Sequence, residues 1–485
     1  MHADRVPYET VRASLPSSLE RAPPRAARRE IIEWALFWLL VAALALAPLW
    51  YGSNDLVAWG INALCFPGLA VLYEAAILVR GESHPVGLKN LALPAALFAA
   101  VVGWAWLQTV TWPHSPLAHP IWGMAGDVLG RPLGESISVN RDLTTLALTR
   151  LITAASVFWL ALQLCRHGAR ARLLLNALVV IICIYAAYAL AALNLGSLPW
   201  LEIPPNGGYA TATFVNRNSF ATYAGLGLVV ICGLILQLYR NEVMTASRRL
   251  QIASLIEATG QKGALLLGGG FLLLVALLVT GSRGGIIATG FGLFALGALT
   301  FRRAKTRAAE PLLMIAVGAV LVAATLFTFG DAFLGSVAER GVGDTGRLAV
   351  YLITLRSILD APLFGHGYGT FADVFPMYRD RSISVQGAWL QAHDTYLEVF
   401  QGLGLVFGSM LVACVFLFVL RCIRGAMTRQ ENVTVPRVAA GAAFLVGIHA
   451  SVDFSLQIQA VALTFIAILG AGVAQAESSR VSLND

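Results

Sequence analysis

Long apolar runs separated by shorter polar segments dominate the 485-residue chain. A helix needs about 20 consecutive apolar residues to cross a bilayer, and about twelve runs approach that length. They lie near 34–52, 57–79, 91–112, 144–165, 173–194, 219–238, 264–281, 284–301, 311–329, 396–420, 437–456 and 457–474. The pattern predicts an all-α polytopic membrane protein with about twelve transmembrane helices.

The composition agrees with this class of protein. Hydrophobic residues make up 57% of the chain and charged residues 13%, with a mean hydropathy of +0.71, whereas soluble domains carry about 25% charged residues. We expect one transmembrane domain over 31–476, between a disordered basic cytoplasmic tail (1–30) and a second cytoplasmic tail (477–485). The polar start argues against a cleaved signal peptide, whose apolar core would come sooner.

The basic residues predict the orientation of the helices. With the N-terminus inside, about 24 of the 34 lysines and arginines fall in cytoplasmic segments, as the positive-inside rule requires. The net charge of +7 then reflects topology and contact with anionic membrane lipid, and nucleic acid need not be invoked. The same topology places three longer polar stretches outside, near 113–143, 195–218 and 330–395. The last is a large periplasmic loop before the tenth helix.

The end of this loop carries the most distinctive chemistry. His393 and Asp394 stand where the polar loop turns into an apolar segment. Arg283, in a tight turn between two helices, and Arg347 are predicted to lie on the same outer face. A titratable group beside two permanent cations suits a phosphorylated substrate. No cluster of acidic residues indicates a metal site, and the six cysteines, all in or beside helices, suggest no disulfide framework.

These residues also have plainer structural interpretations. Arg283 could fix its turn at the lipid headgroups, and Arg347 could pair with Asp344 in the first turn of a helix. His449 and Asp453, four apart on one predicted helix face, could form a structural pair, a proton relay or a metal site.

The large loop itself is predicted to contain a helix that ends at Pro362. Its apolar residues have helical spacing, which favours a helix lying on the membrane or against the bundle: Leu348, Tyr351, Leu352, Leu355, Ile358 and Leu359. The following stretch, Gly365–Gly369, is interpreted as a flexible turn in which His366 is solvated.

A second polar corner precedes the sixth apolar run. Asn216, Arg217 and Asn218 follow a short extended stretch and open a helix. They are interpreted either as a helix-capping group or as a corner that contacts sugar and phosphate.

Six motifs, in this order, resemble the O-antigen ligase and polymerase superfamily over about residues 140–460. They are Thr213-Phe-Val-Asn-Arg-Asn-Ser-Phe-Ala221, Gly281-Ser-Arg-Gly-Gly285, Gly346-Arg347, Gly365-His-Gly-Tyr-Gly-Thr-Phe371, the segment from His393 to Gly404, and His449-Ala-Ser-Val-Asp-Phe454. Each motif is weak alone, and together they are specific for the superfamily. The sequence departs from the ligase pattern at Asp394, where Asn, Ser or Gln is usual, and at Phe407, where glycine is expected.

The resemblance implies a glycosyltransferase of the bacterial inner membrane that acts on the periplasmic side. Its donor would be an undecaprenyl-diphosphate-linked glycan, and its acceptor lipid A-core, protein or a growing polysaccharide. The family's catalytic histidine and two arginines map to His393, Arg283 and Arg347. We further expect a metal-independent, inverting reaction without a cofactor. The expected substrate-binding residues are Asn216, Arg217, Asn218, Asp394 and Tyr396.

Two alternatives remain at this point. A repeat-unit polymerase of an exopolysaccharide or O-antigen would use the same type of donor with a different acceptor. A transporter of lipid-linked glycans would also have about twelve helices, but such proteins place functional charges inside the membrane. Here the predicted helices hold few charges, chiefly Glu74 and Arg150, which favours an enzyme.

Overall fold

The computed structural model describes residues 24–112, 116–195, 208–243, 259–301, 345–383 and 388–476. Within these ranges it contains fourteen α-helices and no β-strand, so the predicted all-α class is confirmed. The helices are α1 (Pro24–Leu46), α2 (Leu56–Arg80), α3 (Ala92–Leu107), α4 (Ile121–Leu129), α5 (Arg141–Leu164), α6 (Gly168–Leu195), α7 (Arg217–Val243), α8 (Ala264–Val279), α9 (Arg283–Phe301), α10 (Thr345–Asp360), α11 (Phe371–Tyr378), α12 (Thr395–Thr428), α13 (Thr434–His449) and α14 (Gln459–Ala476).

In the described part of the chain, ten helices are long and apolar enough to cross a membrane. They are α1–α3, α5–α9, α12 and α14, and the apolar helix α13 is shorter, with 16 residues. These eleven helices correspond to predicted runs, and the run near 311–329 lies outside the described residues. The run predicted over 437–456 is wrong at its end, because α13 ends at His449.

Close backbone contacts through glycines hold α7, α9 and α13 together. A Cβ atom at Gly292 would lie 2.8 Å from the Gly441 carbonyl oxygen, and one at Gly441 would lie 2.9 Å from the Gly292 carbonyl oxygen. Membrane helices associate largely by van der Waals packing, which requires their backbones to come close together. Small residues at the contact allow this close approach. Gly285 likewise faces Ala221, whose Cβ would be 2.6 Å from an added Cβ. The packing brings the first residues of α7 and α9 beside the end of α13.

Helix α12 is broken at Gly404, whose backbone (φ 75°, ψ 170°) is non-helical. Residues 361–369, here called the inserted linker, connect α10 to α11 and hydrogen-bond to the break. The amide of Leu405 donates to Pro362 at 2.7 Å, and the amide of His366 donates to Gln401 at 2.9 Å. The buried Gln108 side chain also bonds the linker and the break.

The inserted linker corrects one prediction. The Gly365–Gly369 stretch is not a solvated turn, because His366 is 2% exposed and its Nε2 lies 2.8 Å from the Ser357 carbonyl oxygen. A Cβ atom at Gly365 would lie 2.3 Å from the Gly402 carbonyl oxygen. These glycines therefore permit close backbone packing instead of flexibility.

Helix α10 ends at Asp360, before Pro362 as predicted. The predicted apolar pattern divides between two sides of the helix, since Ile358 is buried. Val350 and Ile353 are buried in a cluster with Phe371 of α11. Four leucines of the predicted apolar pattern are instead exposed: Leu348, Leu352, Leu355 and Leu359, here called the leucine face.

Candidate active site at one end of the helix bundle

Residues 449–455, here called the connecting segment, begin at the last residue of α13 and lead towards α14. The segment contacts three of the chain regions that carry predicted catalytic residues. It accepts a hydrogen bond from Arg347, lies beside His393, and packs against Gly284, the residue after Arg283. The three predicted residues, distant in sequence, are therefore arranged around one short piece of chain.

His393 lies at a corner with left-handed backbone, at φ 59°, which is uncommon for a residue other than glycine. The Tyr351 hydroxyl of α10 donates to the His393 carbonyl oxygen at 2.9 Å. The Thr395 amide donates to the Ala450 carbonyl oxygen at 2.8 Å. The Thr395 hydroxyl donates to the Asp453 backbone carbonyl oxygen at 3.2 Å. These bonds fix the corner against α10 and the connecting segment, which supports its strained backbone.

The His393 ring is paired with a buried carboxylate. Its Nδ1 lies 3.8 Å from Oδ2 of Asp453, whose side chain is 1% exposed, whereas the His393 side chain is 24% exposed. The rings of Phe454 and Trp389 meet the imidazole edge-on, with centroids 4.9 Å and 5.7 Å away. An imidazole with one nitrogen facing a carboxylate and the rest of the ring partly open can accept a proton from a bound hydroxyl.

Asp453 is held in its charged form. The Asn218 amide donates to its Oδ2 at 2.7 Å, and the Ser455 hydroxyl donates to its Oδ1 at 2.8 Å. Burial acts to raise the pKa of the Asp453 carboxyl, but the imidazole of His393, the ring of His449 and the Ser455 hydroxyl outweigh it. The pKa of Asp453 consequently lies below its ordinary value, so this carboxylate can stabilise an imidazolium at His393.

His449 does not share a helix face with Asp453, since α13 ends at His449 and the connecting segment turns away. That prediction is wrong, and Ser455 bridges the two side chains. His449 Nδ1 lies 2.6 Å from the Thr222 hydroxyl, which itself donates to the Asn218 carbonyl oxygen. These contacts hold the orientation of the His449 ring at the start of α7.

Arg347 lies in the first turn of α10 and donates from Nη1 to the Val452 carbonyl oxygen at 3.0 Å. Its charge also acts on the ring of His449. The predicted partner Asp344 lies outside the described residues. The Arg347 guanidinium therefore contacts the connecting segment at Val452, the residue before Asp453.

Arg283 is the first residue of α9 and is half-buried. The preceding Gly281 has φ 58°, which glycine adopts without steric cost, so the predicted tight turn is present. A Cβ atom at Gly284 would lie 3.1 Å from His449 Nε2 and 3.4 Å from Val452 Cγ2. The absence of a side chain at Gly284 thus lets the start of α9 approach the connecting segment.

The predicted capping group at the start of α7 is confirmed. The Ser219 amide donates to the Asn216 side chain at 2.8 Å, which satisfies a free amide of the helix. Asn218 bonds Asp453, and the Arg217 guanidinium lies 4.0 Å from the centre of the Tyr209 ring. The structure therefore links Asn218 to His393 through a shared carboxylate.

Asp394 and Tyr396 make contacts that organise α12. Asp394 accepts the Leu397 amide at 3.0 Å as the N-cap residue, and the Tyr396 hydroxyl donates to the Gly447 carbonyl oxygen at 2.8 Å. Burial raises the pKa of the Asp394 carboxyl, although the amides of Leu397 and Tyr396 act in the opposite direction. The carboxylate that pairs with the His393 ring is Asp453.

Three helix N-termini meet the connecting segment, those of α7, α9 and α12. Their contacts are Asn218 to Asp453, Gly284 to His449, and Thr395 to Ala450. The N-terminus of a helix carries a partial positive charge that favours anions. Together with Arg283 and Arg347, this arrangement favours a polyanionic group. Within the described ranges, no group of three or more His, Cys, Asp or Glu side chains could hold a metal ion.

Asp453 is the site residue whose role the sequence did not reveal. The motif from His449 to Phe454 marked it, but its spacing suggested a partner on its own helix. Its actual partners, His393 and Asn218, are 60 and 235 residues away in the chain. The break of the helix at His449 is the feature that redirects the carboxylate.

Comparison with known families agrees with this geometry. Residues 268–412 match the family model described as O-antigen ligase. This range contains Arg283, Arg347 and His393, whereas Asn218 and the connecting segment lie outside it. No curated protein matches the chain. Residues 268–412 are therefore similar to the O-antigen ligase family, in agreement with the resemblance carried by the sequence motifs.

Proposed function

We propose that the protein transfers a glycan from a lipid-diphosphate donor, of the undecaprenyl type, to a hydroxyl acceptor at the periplasmic face of the bacterial inner membrane. The observation that carries this proposal is the connecting segment, which contacts His393, Arg347 and the residue after Arg283. The ligase-type acceptors, lipid A-core or protein, are favoured by the description of the matching family.

His393 is proposed as the general base. Its Nδ1 faces the Asp453 carboxylate at 3.8 Å, which favours the tautomer with the proton on Nδ1 and leaves Nε2 free to accept one. As the acceptor hydroxyl attacks, its proton passes to Nε2, and the imidazolium that forms is stabilised by Asp453. This is the role of the buried carboxylate in other acid–base pairs.

Arg283 and Arg347 are proposed to bind the diphosphate of the donor. The bond from the anomeric carbon to the phosphate oxygen breaks as the acceptor oxygen attacks, and the lipid diphosphate leaves with the electron pair. The two guanidinium groups stabilise the negative charge that develops on this leaving group. Direct displacement by the hydroxyl inverts the anomeric centre.

The proposal is tested with purified protein in liposomes and a synthetic prenyl-diphosphate-linked oligosaccharide. Wild-type protein should form a glycosidic bond to an added acceptor and release the prenyl diphosphate. His393→Ala should abolish the reaction while the variant remains folded, because a partly exposed side chain contributes little burial. Transfer by His393→Ala at the wild-type rate would remove His393 from the mechanism.

The same assay separates the other functions. A new bond to lipid A-core or protein supports the ligase, whereas a bond to a second repeat unit assigns the protein as a polymerase. Movement of labelled donor across the membrane without any new glycosidic bond would overturn the enzyme and favour a transporter.

A further inference from the structure

The leucine face of α10 is an apolar surface on the outside of the protein. Leu348, Leu352, Leu355 and Leu359 are 60%, 51%, 44% and 64% exposed, and their spacing places them on one side of the helix. The opposite side carries the buried Val350 and is packed against the protein. Four exposed leucines along one side of a helix indicate an interaction surface.

The C-terminal end of α10 lies at the level of the membrane boundary. The inserted linker after it bonds α12 through Pro362 and Leu405 at 2.7 Å. From Leu405 to the basic residue Arg421, α12 extends about 24 Å, at 1.5 Å per residue. The hydrocarbon layer of a bilayer is about 30 Å thick, so Leu405 lies near its edge on the side opposite Arg421.

The N-terminal end of α10 lies beside the end of another membrane helix. Arg347 donates to the carbonyl oxygen of Val452 at 3.0 Å, and Val452 follows the 16-residue helix α13. A helix of that length rises about 24 Å, again slightly less than the hydrocarbon thickness. Both ends of α10 therefore contact segments that close a membrane helix, which favours a helix that lies along the membrane surface.

The leucine face also continues into a lipid-facing surface. Leu363 and Phe364 of the inserted linker are 55% and 39% exposed, beside Leu405 and Val406 of α12, which are 43% and 42% exposed. Helix α12 is a candidate membrane span, so its exposed apolar residues face lipid chains. The apolar surface runs from there along α10 towards Arg347.

We propose that the leucine face is immersed in the acyl chains of the adjacent leaflet, so that α10 is an interfacial helix whose partner is bulk membrane lipid. Such a helix buries its apolar side at the boundary of headgroups and acyl chains. Its immersion fixes the height of Arg347, in its first turn, relative to the lipid phosphates. The proposal goes beyond the proposed function and does not depend on it.

The test places the photoreactive residue benzoylphenylalanine at Leu352 or at Leu355 of the full chain. The protein is reconstituted in vesicles of phosphatidylethanolamine and phosphatidylglycerol, irradiated and analysed by intact mass. The matched control is the same residue at Arg356, which is exposed on the flank of the same helix and paired with Asp380 at 2.7 Å. Lipid adducts should form at the leucine positions with a yield about tenfold above the control.

Other occupants of the surface give other products. A covalent dimer would assign the face to a second copy, a crosslink to residues 302–344 would assign it to another part of this chain, and no adduct would assign it to water. Each of these outcomes overturns the proposal. If a variant does not insert into the vesicles, wild-type protein can be reconstituted with lipids that carry a photoreactive acyl chain. The proposal then requires that irradiation labels the peptide 348–359.

Discussion

Replacing Asp453 by asparagine removes one charge from the proposed site and almost no volume. The asparagine side chain can still accept the hydrogen bond from Asn218 and remain close to Ser455. It can no longer neutralise an imidazolium at His393. The substitution therefore separates the electrostatic contribution of this carboxylate from its contribution to packing.

The size of the effect follows from the geometry. At 3.8 Å and an effective dielectric constant of about 20, two unit charges attract by about 4 kcal/mol. The His393 side chain is 24% exposed, and solvent screening reduces the attraction. We therefore expect a loss of about 2–3 kcal/mol in transition-state stabilisation, which lowers the rate about 30- to 150-fold.

The assay is single-turnover glycosyl transfer in liposomes with donor in excess of its KM. The control is Asp394→Asn, which removes the neighbouring carboxylate charge. Asp394 caps α12, and asparagine caps a helix about as well as aspartate. This control should stay within a few-fold of the wild-type rate, because Asp453 and not Asp394 faces the His393 ring.

Equal losses in the two variants would mean that general negative charge at this end of the bundle matters, and not the His393–Asp453 pair. A wild-type rate for Asp453→Asn, with an unchanged unfolding temperature, would refute the proposed function of the carboxylate. An inactive variant whose unfolding temperature has fallen would instead assign Asp453 to folding.

Further predictions concern the arginines, the inserted linker and the response to acid. Arg347→Lys should lose nearly as much transfer as Arg347→Ala, roughly 30- to 1000-fold, because lysine lacks the planar fork; near-complete rescue by lysine, there and at Arg283, would contradict diphosphate binding. Gln108→Leu removes the side-chain partner of three backbone groups. The Gly402 carbonyl oxygen keeps the Gly367 amide, so the cost is about 1–3 kcal/mol for each of the other two. The Tm of this variant in detergent should fall, whereas Thr109→Ala, which loses a bond within its own turn, should change it little. Burial and a neighbouring histidine lower the pKa of His119 to about 4. Because the unfolded side chain takes up a proton at about pH 6.5, stability should decline as the pH falls from 6.5 towards 4; His119→Gln should flatten Tm against pH over that interval, and an unchanged slope would contradict the assignment.

The hydrophobic pattern predicted the helices well because membrane spans depend on a local property of the chain. A run of about 20 apolar residues is sufficient to mark a span, and eleven predicted runs appear as helices. The same rule fails where the chain departs from a straight helix. It joined residues 437–456, although α13 ends at His449, because the apolar residues continue through the turn that follows.

Pattern alone left open whether α10 lies on the membrane or against the helix bundle. The packed side is made by Val350, Ile353 and the small polar Ser357, whereas the regularly spaced leucines are exposed. A helix at a membrane boundary can have apolar residues on both sides, since one side meets the protein and the other meets lipid. Spacing then identifies two apolar faces without distinguishing their partners.

The residue types of the proposed site were predictable, and their mutual arrangement was not. His393, Arg283 and Arg347 are noticeable in sequence because isolated polar residues at helix ends are unusual in so apolar a chain. What joins them is the connecting segment, and its position depends on glycine contacts between α9 and α13 and on the break at His449. Those contacts involve residues more than a hundred positions apart, with no local signal to relate them.

The location of the site explains why small residues surround it. The proposed lipid-diphosphate donor would have to reach cationic side chains without leaving the membrane boundary, which favours a site at the ends of short helices. Helix α13, at 16 residues, ends at that depth, and Gly284 allows α9 to begin beside it. A Cβ atom at Gly284 would lie 3.1 Å from His449 Nε2, so a larger side chain requires either the His449 ring or the start of α9 to shift. Packing between the helices thus sets the distance between the proposed cations and the proposed base.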